Sequence, residues 1–155
     1  MPEGNKILSS IKLSDFELLD TLGTGSSGRV RLVNFIGTDP GDASEKAKFD
    51  EYKGKHYALK ILKKSEVIYL KQVDHVKTEK KILEEITHPF IVNLLGAFQD
   101  PYNLYLLLEY VIGGEFFSHL RKAGRFPNDT ARYYAAQITL VFEHLHNLQI
   151  LYRDL

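Results

Sequence analysis

From Phe16 the chain alternates between apolar and polar residues. Phe16, Leu18 and Leu22 share one parity, and Glu17 and Thr21 share the other. Period-two alternation is the signature of a strand with one buried face. After a glycine-rich stretch at 23–28, Arg29-Val30-Arg31-Leu32 alternates again, so two strands and their connection make a hairpin. Further strands are predicted over 56–62, 94–98 and 103–109, the last two joined by the turn at 99–102. A short helix fits 65–70, and a longer one fits 73–87, where His88-Pro89 ends it. Gly113-Gly114 marks a break, followed by a short helix over 115–122. The last helix, 128–148, is capped by Asn128 or Asp129. Its Ala131, Tyr134, Ala135, Ile138, Phe142 and Leu145 form one apolar stripe.

The pattern predicts an α+β organisation: five strands with a helix between the third and fourth, then the start of a helical lobe. Residues 1–15 read as an N-terminal tail, 16–110 as the sheet-bearing lobe, and 111–155 as a hinge with the first helices of a second lobe. Within the first lobe, residues 37–55 (GTDPGDASEKAKFDEYKGK) are polar and rich in turn formers. They read as an exposed insert loop with no role in the core. No internal repeat interrupts this arrangement.

Composition narrows the function classes. The chain is 155 residues long, 44% hydrophobic and 26% charged, as expected of a globular domain with a real core. Formal net charge is zero, so no global basic field points to nucleic acid. There is no cysteine, which excludes disulfides and thiolate metal sites. The most apolar run, 104–112, is short and contains Glu109, which makes it a core strand and not a membrane span. The N-terminus shows no apolar signal core and no glycine at position 2. Cytoplasm, and also nucleus, is the expected location.

The stretch GTGSSGRV carries glycines at 23, 25 and 28. Three loop types share this look. A dinucleotide fingerprint needs its third glycine to open a helix, but Gly28 opens a strand, which counts against a nicotinamide-dependent oxidoreductase. A P-loop needs Lys and then Ser or Thr after the last glycine, but Arg29-Val30 follow. The third type is a glycine flap between antiparallel strands, lying over a nucleotide with backbone N–H groups near its phosphates. Gly23, Gly25, Gly28 and Val30 match its pattern G-x-G-x-x-G-x-V.

A nucleotide under such a flap needs a cation, and Lys60 in Tyr57-Ala58-Leu59-Lys60 occupies the next strand. A solvated strand lysine is the plainer account of any one lysine. A fixed lysine needs a carboxylate, and Glu79 shares a helix face with Val76, Leu83 and Ile86. An unpaired carboxylate on an apolar face is costly, so Glu79 is expected to meet a cation there, although Lys80 on its own helix is an available alternative. At the end of the chain, Tyr152-Arg153-Asp154-Leu155 matches the catalytic-loop opening H-R-D-L with Tyr for His, in which Asp154 would accept the proton of a substrate hydroxyl.

These residues, taken in order, resemble the N-terminal part of a eukaryotic protein kinase. LGTGSSGRV, HYALKILKKSEV, EKKIL, NLYLLLEYVIGGEFFSHLRKAGRF, ARYYAAQI and YRDL carry a further likeness to the AGC group and its cyclic-AMP-dependent catalytic subunits. The resemblance implies a serine/threonine protein kinase that takes ATP with Mg2+ and acts on proteins with basic residues near the phosphoacceptor. It also implies a cyclic-AMP-binding regulatory subunit as a partner. It implies that Lys60, Glu79 and Asp154 are catalytic, and that the backbone of Gly23, Thr24, Gly25, Ser26, Ser27, Gly28 and Arg29 lies over the phosphates. Leu22, Val30 and Ala58 would cover the adenine, with Leu108 as gatekeeper and the backbones of Glu109 and Val111 at its edge. Glu115 would meet the ribose and a basic substrate residue, although charge complementarity at a helix N-terminus explains it equally. Arg153, with His75 as a second contact, would hold a phosphate on an activation loop.

Two departures bear on these expectations. Ser27 stands where relatives carry an aromatic residue, which implies a looser flap. The connection between the second and third strands is about fifteen residues longer than usual, a modest entropic cost. The sequence contains neither the catalytic-loop Asn nor the DFG aspartate, so no metal ligand is assigned, and the expectation is an N-terminal piece inactive by itself. The rival expectation is a non-catalytic protein that binds nucleotide or competes for kinase partners.

Overall fold

The computed structural model describes Leu8 and residues 10–37 and 43–152. Strands β1 (Phe16–Gly25), β2 (Gly28–Phe35), β3 (His56–Lys63), β4 (Leu94–Gln99) and β5 (Asn103–Glu109) form one sheet. Its order is β1-β2-β3-β5-β4, and every neighbouring pair is antiparallel. Helices are α1 (Lys46–Tyr52), α2 (Lys64–Tyr69), α3 (Val73–Glu85), α4 (Phe116–Ala123) and α5 (Asn128–Asn147). The chain divides into two compact units, one of residues 1–87 with 93–110, the other of 88–92 with 111–155.

Register partners in an antiparallel ladder share a face. Val30, Lys60 and Leu106 therefore stand in one row, and Leu32, Ala58 and Leu108 in the next. The alternate positions point to the opposite face, where Val33, Phe35, Tyr57, Leu59, Tyr105 and Leu107 are buried. The sheet thus has a core face and a face that carries Lys60.

The core face is closed by two segments expected to lie outside it. The first is the supposed tail. Leu8 is fully buried, and its N–H donates to the Leu95 carbonyl at 2.9 Å. Ile11 is buried beside it, over Gly96, where an added Cβ would come within 2.5 Å of Ile11 Cδ1. Missing bulk at Gly96 is what lets this segment lie flat on the sheet. The first lobe therefore begins at least as early as Leu8, not at Phe16.

The second lies within the segment 37–55 expected to be an exposed loop, of which residues 38–42 fall outside the described residues and 43–52 are helical. Residues 43–52 form a turn of 3-10 helix and then α1, and Phe49 is buried with 1% of its surface exposed. Its ring meets Phe35 edge-on at 5.1 Å, and Tyr52 meets Tyr57 at 5.4 Å. Phe49 and Tyr52 lie three residues apart and so project from one side of a helix. Two aromatic side chains outweigh the polar composition, because each buries far more apolar area than its neighbours expose. Glu45, also buried, accepts hydrogen bonds from the Ser10 N–H and hydroxyl and so ties the two segments together.

In the other unit, Phe116, Phe126 and Tyr134 form a ring cluster with centroids 4.8–5.6 Å apart. Of the stripe on α5, Leu145 is buried and Ile138 is exposed. The expected caps are not used. The N-cap of α5 is Pro127, without a side-chain bond, and its carbonyl accepts from the Ala131 N–H. Asn128 and Asp129 already lie inside the helix, where Asp129 pairs with Arg132 at 3.5 Å.

Candidate active site

The hairpin that joins β1 to β2 turns through Ser26-Ser27 between the paired residues Gly25 and Gly28. Its three glycines stand there for different reasons. At Gly28 an added Cβ would lie 1.9 Å from the Ile61 carbonyl oxygen, so β3 passes too close for any side chain. That glycine is required by the fold. Gly23 and Gly25 have no positive φ, and an added Cβ at either meets nothing within 4 Å. Neither conformation nor packing calls for glycine there, whereas close approach of a ligand to the backbone would. Ser27 is held from below, its carbonyl accepting the Lys63 N–H at 3.0 Å.

The loop from Gly23 to Val30, with Lys60 and Leu62, lines a cavity of about 320 Å3. Lys60 Nζ donates to Glu79 Oε1 at 2.7 Å. Strand β3 places Lys60 opposite Val30, and α3 carries Glu79 over the same face. Lys80, the competing partner, pairs instead with Glu84 one turn further along α3. The cavity thus combines a backbone-lined wall, two positions open to close approach, and one cation fixed by one carboxylate. A phosphate chain fits that set: N–H donors and a point charge for its oxygens.

Around it, Ala58 is buried and Val30 half-buried, while Leu22 is 43% exposed at an irregular point of β1. Leu108 is half-buried beside Ala58 in the ladder. The Glu109 N–H donates to the Asn93 carbonyl at 3.0 Å. The Glu109 carboxylate accepts from the Asn93 N–H at 3.3 Å and from Nδ2 at 3.0 Å. Sequence reading missed Asn93, because nothing in the pattern links it to a residue sixteen positions away.

In the second unit, Val111 is exposed and Glu115 is the N-cap of α4, its carbonyl accepting from Ser118. His75 on α3 is exposed. Arg153 and Asp154 lie outside the described residues. Among the described residues no cluster of three His, Asp or Glu side chains could hold a metal ion, and no helix is long and apolar enough to cross a membrane.

The sheet, the glycine hairpin and the Lys60–Glu79 pair are those of a protein kinase small lobe, and the family model described as "Protein kinase domain" matches residues 16–155. The chain belongs to that family. It is 45% identical over 143 residues to the cAMP-dependent protein kinase type 3 of Saccharomyces cerevisiae, covering 92% of this chain and 32% of that one. Identity to the cAMP-dependent protein kinase catalytic subunit of Dictyostelium discoideum is 47% over 144 residues, covering 93% of this chain and 20% of the relative. Identity to the cAMP-dependent protein kinase catalytic subunit 3 of Drosophila melanogaster is 45% over 143 residues, covering 92% and 22%. The chain therefore spans about a fifth to a third of the length of these relatives.

Proposed function

We propose that these residues form the nucleotide-binding part of a serine/threonine protein kinase of the cyclic-AMP-dependent type. The parent reaction is attack of a Ser or Thr hydroxyl oxygen on the γ-phosphorus of ATP. The bond from that phosphorus to the β–γ bridging oxygen breaks, and Asp154 takes the hydroxyl proton. The observation that carries this reading is the Lys60–Glu79 pair at 2.7 Å, set under a hairpin with two glycines that the fold itself does not require.

The resemblance to protein kinases implies the residue roles. Lys60, held by Glu79, supplies positive charge to the phosphates, and the N–H groups of residues 23–29 line the other side. Leu22, Val30 and Ala58 supply the apolar surface a flat base needs, and Leu108 limits the depth of its pocket. The Glu109 N–H is engaged with Asn93, so Glu109 would meet the adenine edge through its carbonyl and Val111 through its backbone. Glu115 would serve the ribose and a basic residue of the substrate. Mg2+ would supply charge neutralisation at the transferring phosphoryl group, through ligands that this sequence does not contain. A cyclic-AMP-binding regulatory partner and a location in cytoplasm and nucleus belong to the same proposal.

The test has two parts. The 155-residue chain should bind a fluorescent ATP analogue, and Lys60→Met should weaken that binding at least about tenfold. A radiolabelled-ATP assay on a basic serine peptide should show turnover for a version continued through a complete helical lobe, none for that version with Asp154→Asn, and none for the 155-residue chain. Turnover by the 155-residue chain that survives Lys60→Met would refute these roles.

A further inference from the structure

The strand that leads into the glycine hairpin is irregular. Leu18 pairs with Val33, Thr21 with Arg31 and Gly23 with Val30, so β1 carries an extra residue twice between Leu18 and Gly23. Two successive bulges in the middle of a strand bend it and strip backbone groups of their ladder partners. A carbonyl so stripped needs another donor. At Leu19 the donor is a side chain. Arg31 Nε donates to the Leu19 carbonyl at 2.8 Å, and a second guanidinium nitrogen donates to the same oxygen.

We infer that Arg31 is a positioning residue for the nucleotide loop: its guanidinium fork fixes the double bulge and with it the angle at which Leu22 and the glycines enter the site. This rests on the nucleotide reading above. Arg31 cannot be a contact residue itself. It alternates with Val30 and Leu32, which share the face of Lys60, so its own side chain belongs to the opposite face. Its effect has to pass through the backbone of β1. Leu22 lies in the second bulge, between Thr21 and Gly23, and is the least supported part of the expected adenine cover, being 43% exposed. A fork that donates twice to one carbonyl is a specific demand. Methionine has the length of the stem and no donor, and lysine has a donor but no planar fork.

The experiment uses the whole chain in three forms: unaltered, Arg31→Met and Arg31→Lys. Hydrogen exchange read by mass spectrometry reports on the β1 amides, and a fluorescent ATP analogue reports on the site. For Arg31→Met, exchange over 18–25 should quicken about tenfold, as expected when a charge-assisted hydrogen bond is lost, with α3 and β5 unchanged. The dissociation constant for the analogue should rise several-fold while the thermal midpoint stays close to that of the unaltered chain. Arg31→Lys should fall between the two. If Arg31→Met does not fold, Arg31→Lys carries the same comparison, since it keeps the charge and loses the fork. Unchanged exchange over 18–25 overturns the clamp and leaves the nucleotide reading standing. Faster exchange across the whole sheet with unchanged affinity makes Arg31 an ordinary stabilising residue and also overturns the inference. An unaltered chain that does not bind the analogue overturns the nucleotide reading, and the positioning role falls with it whatever the exchange shows.

Discussion

Lys60 and Glu79 stand nineteen positions apart along the chain, and 2.7 Å separates Nζ from Oε1. The side chains are 28% and 42% exposed, so water screens the pair and its contribution to stability is small. Partly exposed pairs couple by about 0.2–1 kcal/mol in double-mutant cycles. The value of this pair lies in aim: the carboxylate holds the ammonium under the glycine hairpin. Lys60→Met and Glu79→Gln should each cost less than about 1 kcal/mol of stability, with a coupling of about 0.5 kcal/mol. Affinity for an ATP analogue should fall at least about tenfold in Lys60→Met and less in Glu79→Gln, where the lysine is present but unaimed. Denaturant titrations and analogue binding on the four forms would measure both. Zero coupling would mean that the pair does not persist in solution.

Phe49 is the clearest case of a residue whose weight its surroundings hide. It is buried against Phe35 on the core face of the sheet. Phe49→Ala should cost about 3–5 kcal/mol, the range for truncating a buried phenylalanine. Removing residues 43–52 should cost as much or more, because it uncovers Phe35 and also deletes Glu45, the acceptor for Ser10. Guanidinium unfolding of the chain and the two variants would check this. A deletion that leaves stability unchanged would restore the reading of this segment as a bystander.

Phe49 also shows where the sequence was legible and where it was not. The glycine-loop strands, α3 and the Lys60–Glu79 pair follow from periodicity, because each residue's neighbours within one element fix its face. Glu79 could be placed by Val76 and Leu83 alone, since Ile86 lies past the end of α3 in extended backbone. Phe49 and Leu8 obey no such local rule. Phe49 sits in a polar stretch and Leu8 in one without a strand or helix period, and the burial of each depends on a partner far away in the chain: Phe35 for Phe49, Leu95 and Gly96 for Leu8. The Arg31 clamp was hidden for the same reason, since a bulge appears only once two strands are paired. Asn93 and Glu109 likewise meet only across the fold.

The glycines of the hairpin should separate stability from binding. Gly28→Ala forces a methyl group to within 1.9 Å of the Ile61 carbonyl, which obliges β3 to move. A shift of that kind costs about 1–3 kcal/mol or more. Gly25→Ala places its methyl group in open space and should leave stability within about 0.5 kcal/mol. If the loop covers phosphates, Gly25→Ala should still weaken binding of the ATP analogue, because the added methyl group stands where the ligand approaches. Thermal melts with and without the analogue would show whether the two effects divide in this way. Equal destabilisation by both substitutions would contradict the separate reasons given for the two glycines.

At the far end of the sheet, the β4–β5 turn should set the response of the first unit to acid. The Asp100 carboxylate accepts the Tyr105 hydroxyl at 2.6 Å and the Tyr102 and Asn103 N–H groups at 2.7 Å each. These donors serve the charged form, the Tyr105 hydroxyl most of all, and they hold the carboxyl at about 2, down from 3.8. The folded value lies below the unfolded one. The stabilisation is therefore complete above about pH 4 and is lost as the pH falls through about 2. Asp100→Asn keeps the shape but removes the titration, so its stability should be lower at neutral pH and fall less steeply between about pH 4 and 2. The same turn anchors α2, since Lys64 Nζ donates to the Asp100 carbonyl at 2.6 Å and the Lys64 N–H to Tyr102 at 2.9 Å. Lys64 uses backbone oxygens, so its bonds should survive the substitution and confine the effect to the carboxylate. The phenol gives an independent readout. Burial first, and then the bond to Asp100 and the charge of its carboxylate, raise the Tyr105 ionisation, and Asp100→Asn should bring it down by removing that charge and weakening that bond. Ultraviolet titration of the phenols together with urea melts across the acid range would test both. Acid limbs that run parallel in the two proteins would show that the turn does not hold Asp100 charged.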